Sequence, residues 1–153
     1  MKIVDFLSPD DVMSDLNASS GEEALREFAG HLKSREIISD DGGLVEVLLD
    51  REKLGSTGIG NGVAIPHGRL PDINEIVVVF GRSKKGVDFN SHDHEPVHLF
   101  FLLVAPEDST GDHLKTLARI SRIVKSPDCR RALMESTDNE SLYRVIFEED
   151  QRH

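Results

Sequence analysis

The chain has 153 residues, of which 38% are hydrophobic, and its formal charge is −10. This length and hydrophobic content fit a single domain with its own core, which we expect to span residues 1–153. Because the acidic residues are scattered and no basic face is clustered, the composition argues against a protein that binds nucleic acid.

Cysteine content and hydropathy indicate the compartment. The single Cys129 allows no internal disulfide, which favours a reducing environment. The N-terminus MKIVDFLSPDD lacks the apolar core of a signal peptide, and the most apolar run, LFFLLVA at 99–105, is too short to span a bilayer. We therefore expect a cytoplasmic protein without membrane insertion, whose acidic tail frays from about residue 147 to 153.

Two helices and a short strand are predicted in the first half of the chain. Ser20 precedes a run with helical apolar spacing, which predicts a capped helix over about 20–34. Asp40 or Asp41 can cap a second helix that ends at Gly55. The segment GVAIP is then predicted as a short strand, because Pro66 cannot donate a hydrogen bond to a sheet.

Strands and then helices are predicted for the second half. The apolar runs EIVVVFGR at 75–82 and VHLFFLLVA at 97–105 are typical of strands covered on both faces. Between them, SKKG predicts a turn and VDF a short edge strand. A helix follows these strands, with an apolar stripe that consists of Leu114, Leu117, Ala118, Ser121 and Val124. Two shorter helices are predicted after it, near 127–135 and 139–148.

This order of elements predicts the fold class. Strands that are buried on both faces need helices on both faces. We therefore expect an α/β fold, a three-layer sandwich in which a mixed β-sheet is flanked by helices on both faces. The strands are not each followed by a helix, which argues against a regular doubly wound fold.

The stretch GSTGIGNGVAIPHGR at 55–69 places four glycines within eight residues. A nucleotide-binding P-loop requires lysine where Asn61 stands, and a dinucleotide fingerprint requires a third glycine where Val63 stands. We therefore expect no nucleotide, and no cofactor of any kind. Small residues let backbone N–H groups approach a phosphoryl group, with hydroxyl donors from Ser56 and Thr57. A tight turn explains the same glycines.

Three further side chains suggest phosphate chemistry. His67 follows the glycines, and a neutral imidazole can attack phosphorus and later release it. Arg51 ends the second helix, where it can hold a phosphate or compensate the helix C-terminus. His113 lies in the first turn of a helix, where it can donate to a phosphoryl oxygen or be partly exposed without a role.

The segment LDREKLGSTGIGNGVAIPHGR resembles the active-site segment of enzyme IIA proteins of the fructose–mannitol class of the bacterial phosphotransferase system, above all their nitrogen-type regulatory branch. DHLKTLARIS and DCRRALMESTDNESLYRVI resemble later segments of that family. The resemblance implies a mixed sheet flanked by helices and a phosphoryl group carried on Nε2 of His67. It also implies that His113 is the second active-site histidine, that Arg51 holds phosphate, and that Ser56 and Thr57 line the same loop.

The resemblance also implies partners. The donor is a small phosphocarrier protein with its own phosphohistidine. In the nitrogen-type branch the output is regulation, through partners such as potassium transporters or kinases. Two alternatives stay open: a sugar-transport enzyme IIA that passes phosphate to a separate enzyme IIB, and a pure binding regulator without onward transfer.

Two other groups of polar residues could have a role. His92, His94 and His98 depart from the family pattern and could bind zinc, although a solvated polar turn explains them and we expect no metal site. The basic residues Lys115, Arg119 and Arg122 fall at helical spacing and are expected to form a solvated helix face.

Overall fold

Two long antiparallel strands form the centre of the molecule in the computed structural model, which describes residues 1–153. They are β5 (Val77–Val87) and β6 (Val97–Pro106), which correspond to the two continuous apolar runs. A short strand β1 (Val12–Met13) pairs in parallel with β5 at one edge of the sheet. Both faces of the central strands are buried, which explains why their sequences do not alternate between apolar and polar residues.

Three short strands complete the opposite side of the six-stranded mixed sheet. β3 (Val63–Ala64) and β4 (His67–Leu70) both pair in parallel with β6, along its first and second halves. Pro66 lies in the break between them, since it cannot donate to the sheet. β2 (Gly58–Gly60) pairs antiparallel with β3. The sheet therefore carries β4 directly beside the centre of the fold.

Five helices cover the sheet in two layers. α1 (Gly21–Ser34) and α2 (Asp41–Lys53) enclose one hydrophobic cluster against one face. α3 (Thr110–Val124), α4 (Pro127–Glu135) and α5 (Asn139–Gln151) enclose a second cluster against the other face. This arrangement confirms the predicted three-layer α/β sandwich with a mixed sheet. None of the five helices has both the length and the hydrophobicity to cross a bilayer.

Side-chain caps fix the starts of the first two helices where the sequence predicted them. The Ser20 hydroxyl accepts a hydrogen bond from the backbone N–H of Glu23, at 3.3 Å. The Asp40 carboxylate accepts one from the N–H of Gly43, at 2.9 Å. Each cap satisfies a backbone donor that the helix itself leaves free.

The segment SKKG does not form the predicted turn. β5 continues through it to Val87, and the chain turns back only after that residue. The pairing register with β6 shifts between Arg82 and Val87, and Gly86 has a φ of 91° within this irregularity. Between these paired positions β5 advances five residues while β6 advances two, so Gly86 lies in a bulged part of the strand rather than in a turn.

The predicted apolar stripe of α3 is only partly correct: Val124 is buried and Leu117 packs against the core, but the buried face of the helix is rotated towards residues outside the stripe. Leu114 is 60% exposed and Ala118 is exposed. The buried face of α3 contains polar residues that form hydrogen bonds inside the protein. The spacing of apolar residues alone therefore predicts the wrong orientation of the helix. Thr116 donates to the carbonyl of Asp112 at 2.7 Å. The buried residues of α3 are His113, Thr116, Arg119, Ile120, Ile123 and Val124.

The acidic tail differs from the expected frayed segment. α5 extends to Gln151, and Asp150 is fully buried within it. The Asp150 carboxylate accepts from Arg119 Nε at 2.7 Å and from the N–H of Val4 at 3.1 Å. Arg119 is thus not part of a solvated face. A buried ion pair between two helices is invisible in the local pattern of either one.

Candidate active site

His67 is the first residue of β4 and is half-buried, so its ring stays reachable from solvent. Its Nδ1 lies 2.8 Å from the carbonyl oxygen of Ile65. A carbonyl can only accept, so Nδ1 carries the hydrogen and Nε2 has the lone pair. Nε2 is therefore the nitrogen of this imidazole that can act as a nucleophile or as a hydrogen-bond acceptor.

Arg51 contacts this nitrogen from the last turn of α2. Its Nε donates to Nε2 of His67 at 3.2 Å, which agrees with a lone pair at that position. Its Nη1 donates to the carbonyl of Gly55 at 2.9 Å, which ties the guanidinium to the start of the glycine-rich stretch. A permanent positive charge thus lies beside Nε2 of His67.

His113 is brought to the same place from the first turn of α3, although 45 residues separate it from His67 along the chain. The two ring centroids are 5.5 Å apart, and the planes are nearly perpendicular at 78°. His113 is only 6% exposed, and its Nε2 is buried without a hydrogen-bond partner. The three residues proposed from the sequence therefore converge at one site.

Arg69 also belongs to this cluster, although it was not among the residues predicted from the sequence. It follows His67 by two residues on β4, so that both side chains lie on the same face of the strand. Its Nε donates to Nδ1 of His113 at 3.2 Å. If HGRL after Pro66 is recognised as a strand, its alternation places Arg69 on the same face as His67.

Both histidines are held neutral. Burial is the largest cause that lowers the pKa of His67, and the charge of Arg51 adds to it, while the hydrogen bond to Ile65 acts in the opposite direction. Burial, His67 and Arg69 lower the pKa of His113 to about 4. At neutral pH the site therefore holds two uncharged imidazoles.

The hydroxyls of Ser56 and Thr57 have other partners than the predicted phosphate. Ser56 donates to the carbonyl of Phe89 at 3.3 Å and accepts from the N–H of Gly58 at 3.0 Å. Thr57 is 4% exposed, and its Oγ1 and N–H donate to the Glu52 carboxylate at 2.6 and 2.9 Å. Both residues hold the loop in place, with Glu52 as an anchor that the sequence analysis also missed.

The later glycines form a hairpin turn between β2 and β3. Asn61 and Gly62 have φ values of 58° and 76°, as tight hairpin turns require. A Cβ on Gly60 would meet Asp93, and one on Gly62 would meet His98, so this hairpin packs on the loop before β6 and on the start of β6. The glycines therefore do not all surround one ligand.

His92 and His94 of that loop and His98 of β6 do not come together in one cluster. His98 Nδ1 lies 2.8 Å from the carbonyl of Ser83, while His92 and His94 are exposed. No three His, Cys, Asp or Glu side chains in the molecule are arranged to hold a metal ion.

Two exposed leucines flank the cluster along the chain. Leu54, just after α2, is 83% exposed, and Leu114, next to His113, is 60% exposed. Each of these leucines exposes apolar surface next to a residue or element of the cluster.

Known proteins resemble the chain over almost its whole length. The family model described as "Phosphoenolpyruvate-dependent sugar phosphotransferase system, EIIA 2" matches residues 5–149. A nitrogen regulatory protein of Bradyrhizobium diazoefficiens is 43% identical over 147 residues, which are 95% of each chain. The fructose-specific EIIABC component of Bacillus subtilis is 32% identical over 98% of this chain, which spans 24% of that longer protein.

Solved structures share the fold. The nitrogen regulatory protein IIA-Ntr of Neisseria meningitidis superposes with a TM-score of 0.88 and 33% identity, covering 94% of this chain and 98% of that one. The mannitol enzyme IIA of Escherichia coli in complex with phosphorylated enzyme IIB has the same fold, with a TM-score of 0.76 at 20% identity, over 92% and 96% of the two chains. The chain thus belongs to the EIIA 2 family of the phosphotransferase system, whose members are phosphotransferase components with a phosphohistidine intermediate.

Proposed function

We propose that Nε2 of His67 accepts a phosphoryl group from the phosphohistidine of a phosphocarrier protein, and that the phosphorylation serves regulation. The observation that carries this proposal is the reachable Nε2 lone pair beside Arg51, with a second neutral histidine 5.5 Å away. The regulatory role is supported by the nitrogen regulatory proteins among the relatives, one of them 43% identical.

In the proposed transfer, Nε2 of His67 attacks phosphorus in line with the donor nitrogen. A new N–P bond forms while the donor's N–P bond breaks, and its electron pair returns to the donor imidazole. The His67 ring gains positive charge, which the Nδ1–H bond to Ile65 stabilises. Arg51 moves from Nε2 to a phosphoryl oxygen, and His113 donates to another. Positioning and electrostatics supply the rate enhancement.

Ser56 and Thr57 serve this site through the loop rather than by direct hydroxyl contact with phosphate. Thr57 is fixed by two hydrogen bonds to Glu52, the residue after Arg51. The same loop begins with Gly55, whose carbonyl accepts from Arg51. Through these bonds the loop holds the guanidinium in the orientation that faces His67.

Leu54 and Leu114 are the proposed contact points for the donor protein, since each directly neighbours an active-site element and is exposed. We place this exchange in the cytoplasm, as the lone cysteine of the sequence suggested. Phosphorylation adds roughly two negative charges at this surface, enough to change which regulated partner binds.

A second function has its own support. Transfer to a separate enzyme IIB is favoured by the similarity to the fructose-specific component of Bacillus subtilis, which is 32% identical. A phosphorylated preparation of the protein distinguishes the two functions when it is mixed with sugar-specific enzyme IIB proteins. Loss of the label to one of them supports transport, whereas retention of the label supports regulation.

The assignment of His67 is tested with a phosphocarrier protein that carries radioactive phosphate. We expect the wild type to take up label, His67→Ala to take up none, and Arg51→Ala to react about 100-fold more slowly, as after loss of a charge-stabilising donor. His92→Ala, on the exposed loop, is the control and should react like the wild type. Labelling of His67→Ala at the wild-type rate would refute the assignment.

A further inference from the structure

Arg69 contacts the second histidine from the strand that also carries the first. Its Nε donates to Nδ1 of His113 at 3.2 Å. We propose that Arg69 is a positioning residue that fixes His113 as the Nε2–H tautomer, so that this N–H is available to an oxygen of the phosphoryl group on His67. That this N–H binds a phosphoryl oxygen rests on the proposed function, whereas the assignment of the tautomer does not.

The hydrogen-bonding chemistry of arginine decides the tautomer. A guanidinium has only donors and keeps its charge in proteins, so Nδ1 of His113 must be the acceptor in this bond. A neutral imidazole carries one N–H, and with Nδ1 accepting it must be at Nε2. The direction of one hydrogen bond thus fixes the proton on the opposite nitrogen of the ring.

The Nε2–H of His113 has no partner within the protein. The nitrogen is buried, and no acceptor lies within hydrogen-bonding reach. A buried donor without a partner is costly, and in native proteins it calls for a ligand or a functional explanation. The phosphoryl group is the acceptor that the site lacks, and the His67 ring that would carry it is 5.5 Å away between centroids.

The charge of Arg69 has a second consequence for His113. Besides burial, two charged or titratable groups lower the pKa of His113. They are His67 and Arg69, both on β4, and the pKa of His113 is about 4. A neutral donor binds the phosphoryl group without forming an ion pair with it. An imidazolium in its place would hold the group more tightly and slow its departure.

The test is a long-range ¹H–¹⁵N NMR spectrum of the histidine rings in the unphosphorylated full chain, with the His113 signals assigned from His113→Gln. We expect the wild type to show the Nε2–H tautomer alone. Arg69→Leu should introduce the Nδ1–H tautomer and raise the pH at which His113 titrates, while Arg69→Lys should restore the wild-type pattern. Arg26→Leu removes an equal charge from an exposed pair with Glu22 and is the control.

The outcomes separate this proposal from the proposed function. The tautomer is measured without any phosphoryl transfer, so it can be confirmed even if His67 accepts no phosphate. In the transfer assay we expect Arg69→Leu to be slower by about 10-fold or more, as when an orienting partner is lost, with recovery in Arg69→Lys. If Arg69→Leu leaves both the tautomer and the titration of His113 unchanged, the proposal is wrong, whatever the transfer rate.

Discussion

Two imidazoles with different hydrogen-bond partners share the site. Nδ1 of His67 faces a carbonyl, whereas Nδ1 of His113 faces a guanidinium. The first ring therefore presents a lone pair on Nε2 and the second presents an N–H on Nε2. The two neutral rings thus have opposite hydrogen-bonding roles. The backbone oxygen of Ile65 fixes the tautomer of one ring, and Arg69 of β4 fixes the tautomer of the other.

The low pKa of His113 makes the stability of the protein depend on pH. Its folded-state pKa of about 4 lies below the unfolded value of 6.5, so between these values the unfolded chain binds a proton that the folded protein does not. We therefore expect the free energy of unfolding to decrease as the pH falls from 6.5 to 4. His113→Gln should flatten that decrease in urea titrations at each pH.

His92→Gln, on the exposed loop, is the matched control for the loss of one histidine. A His113→Gln profile that falls as steeply as that of the wild type would contradict a neutral, buried His113.

The sequence was informative for residues whose chemistry is local. His67, Arg51 and His113 are recognisable because their segments resemble a family motif, and their rings and guanidinium do converge. Arg69 and Glu52 could not be assigned in the same way. Arg69 contacts His113 at 3.2 Å and Glu52 contacts Thr57 at 2.6 Å. The packing of strands and helices determines these contacts, and the local sequence does not.

At the scale of elements, β4 and α2 approach closely at Gly68. A Cβ at this position would lie 2.7 Å from Cγ1 of Val47 and 3.5 Å from Leu48. α2 carries Arg51 and β4 carries His67, so the distance between these elements sets the contact of the two side chains. The glycine is needed here for close packing.

Gly68→Ala is therefore expected to lower the free energy of unfolding by about 1–3 kcal/mol, as overpacking does. It should also slow phosphoryl uptake, because it separates Arg51 from His67. Gly30→Ala is the control, since nothing lies within 4 Å of a Cβ there and the residue is inside α1. Alanine at that position should stabilise the helix by up to about 1 kcal/mol. Equal stability of the two variants in chemical denaturation would contradict the packing argument.

The elements themselves were predicted unevenly. The starts of α1 and α2 and the two central strands follow from caps and continuous apolar runs, which are local signals. The orientation of α3 did not follow, because Thr116 and Arg119 are buried polar residues with internal partners. β3 lies in the predicted strand GVAIP, whereas β2 was missed because the glycines before it suggested a ligand loop or a tight turn.

At the scale of the whole molecule, Asp150 connects both ends of the chain to the helix that carries His113. Its carboxylate binds Arg119 of α3 and the N–H of Val4, and its carbonyl accepts from Nζ of Lys2 at 3.0 Å. Arg119 is 7% exposed and Asp150 is fully buried. The last helix and the first residues therefore hold α3 against the sheet.

Asp150→Asn should lower the free energy of unfolding by about 3–5 kcal/mol, because it leaves the Arg119 charge buried without a counter-charge. The exposed pair of Glu140 and Arg144, in the same helix, is the control. Glu140→Gln should change stability by no more than about 0.5 kcal/mol. Urea denaturation measures both, and a similar small effect for the two variants would mean that the buried pair does not stabilise the fold.

The central claim is that phosphate is carried on one nitrogen of one histidine, and the most direct test is NMR of the phosphorylated protein. After reaction with a phosphorylated phosphocarrier, ¹⁵N–³¹P coupling identifies the nitrogen that bears phosphorus. We expect coupling at Nε2 of His67, with the hydrogen on Nδ1 retained. Coupling at Nδ1 of His67, or at either nitrogen of His113, would contradict the account.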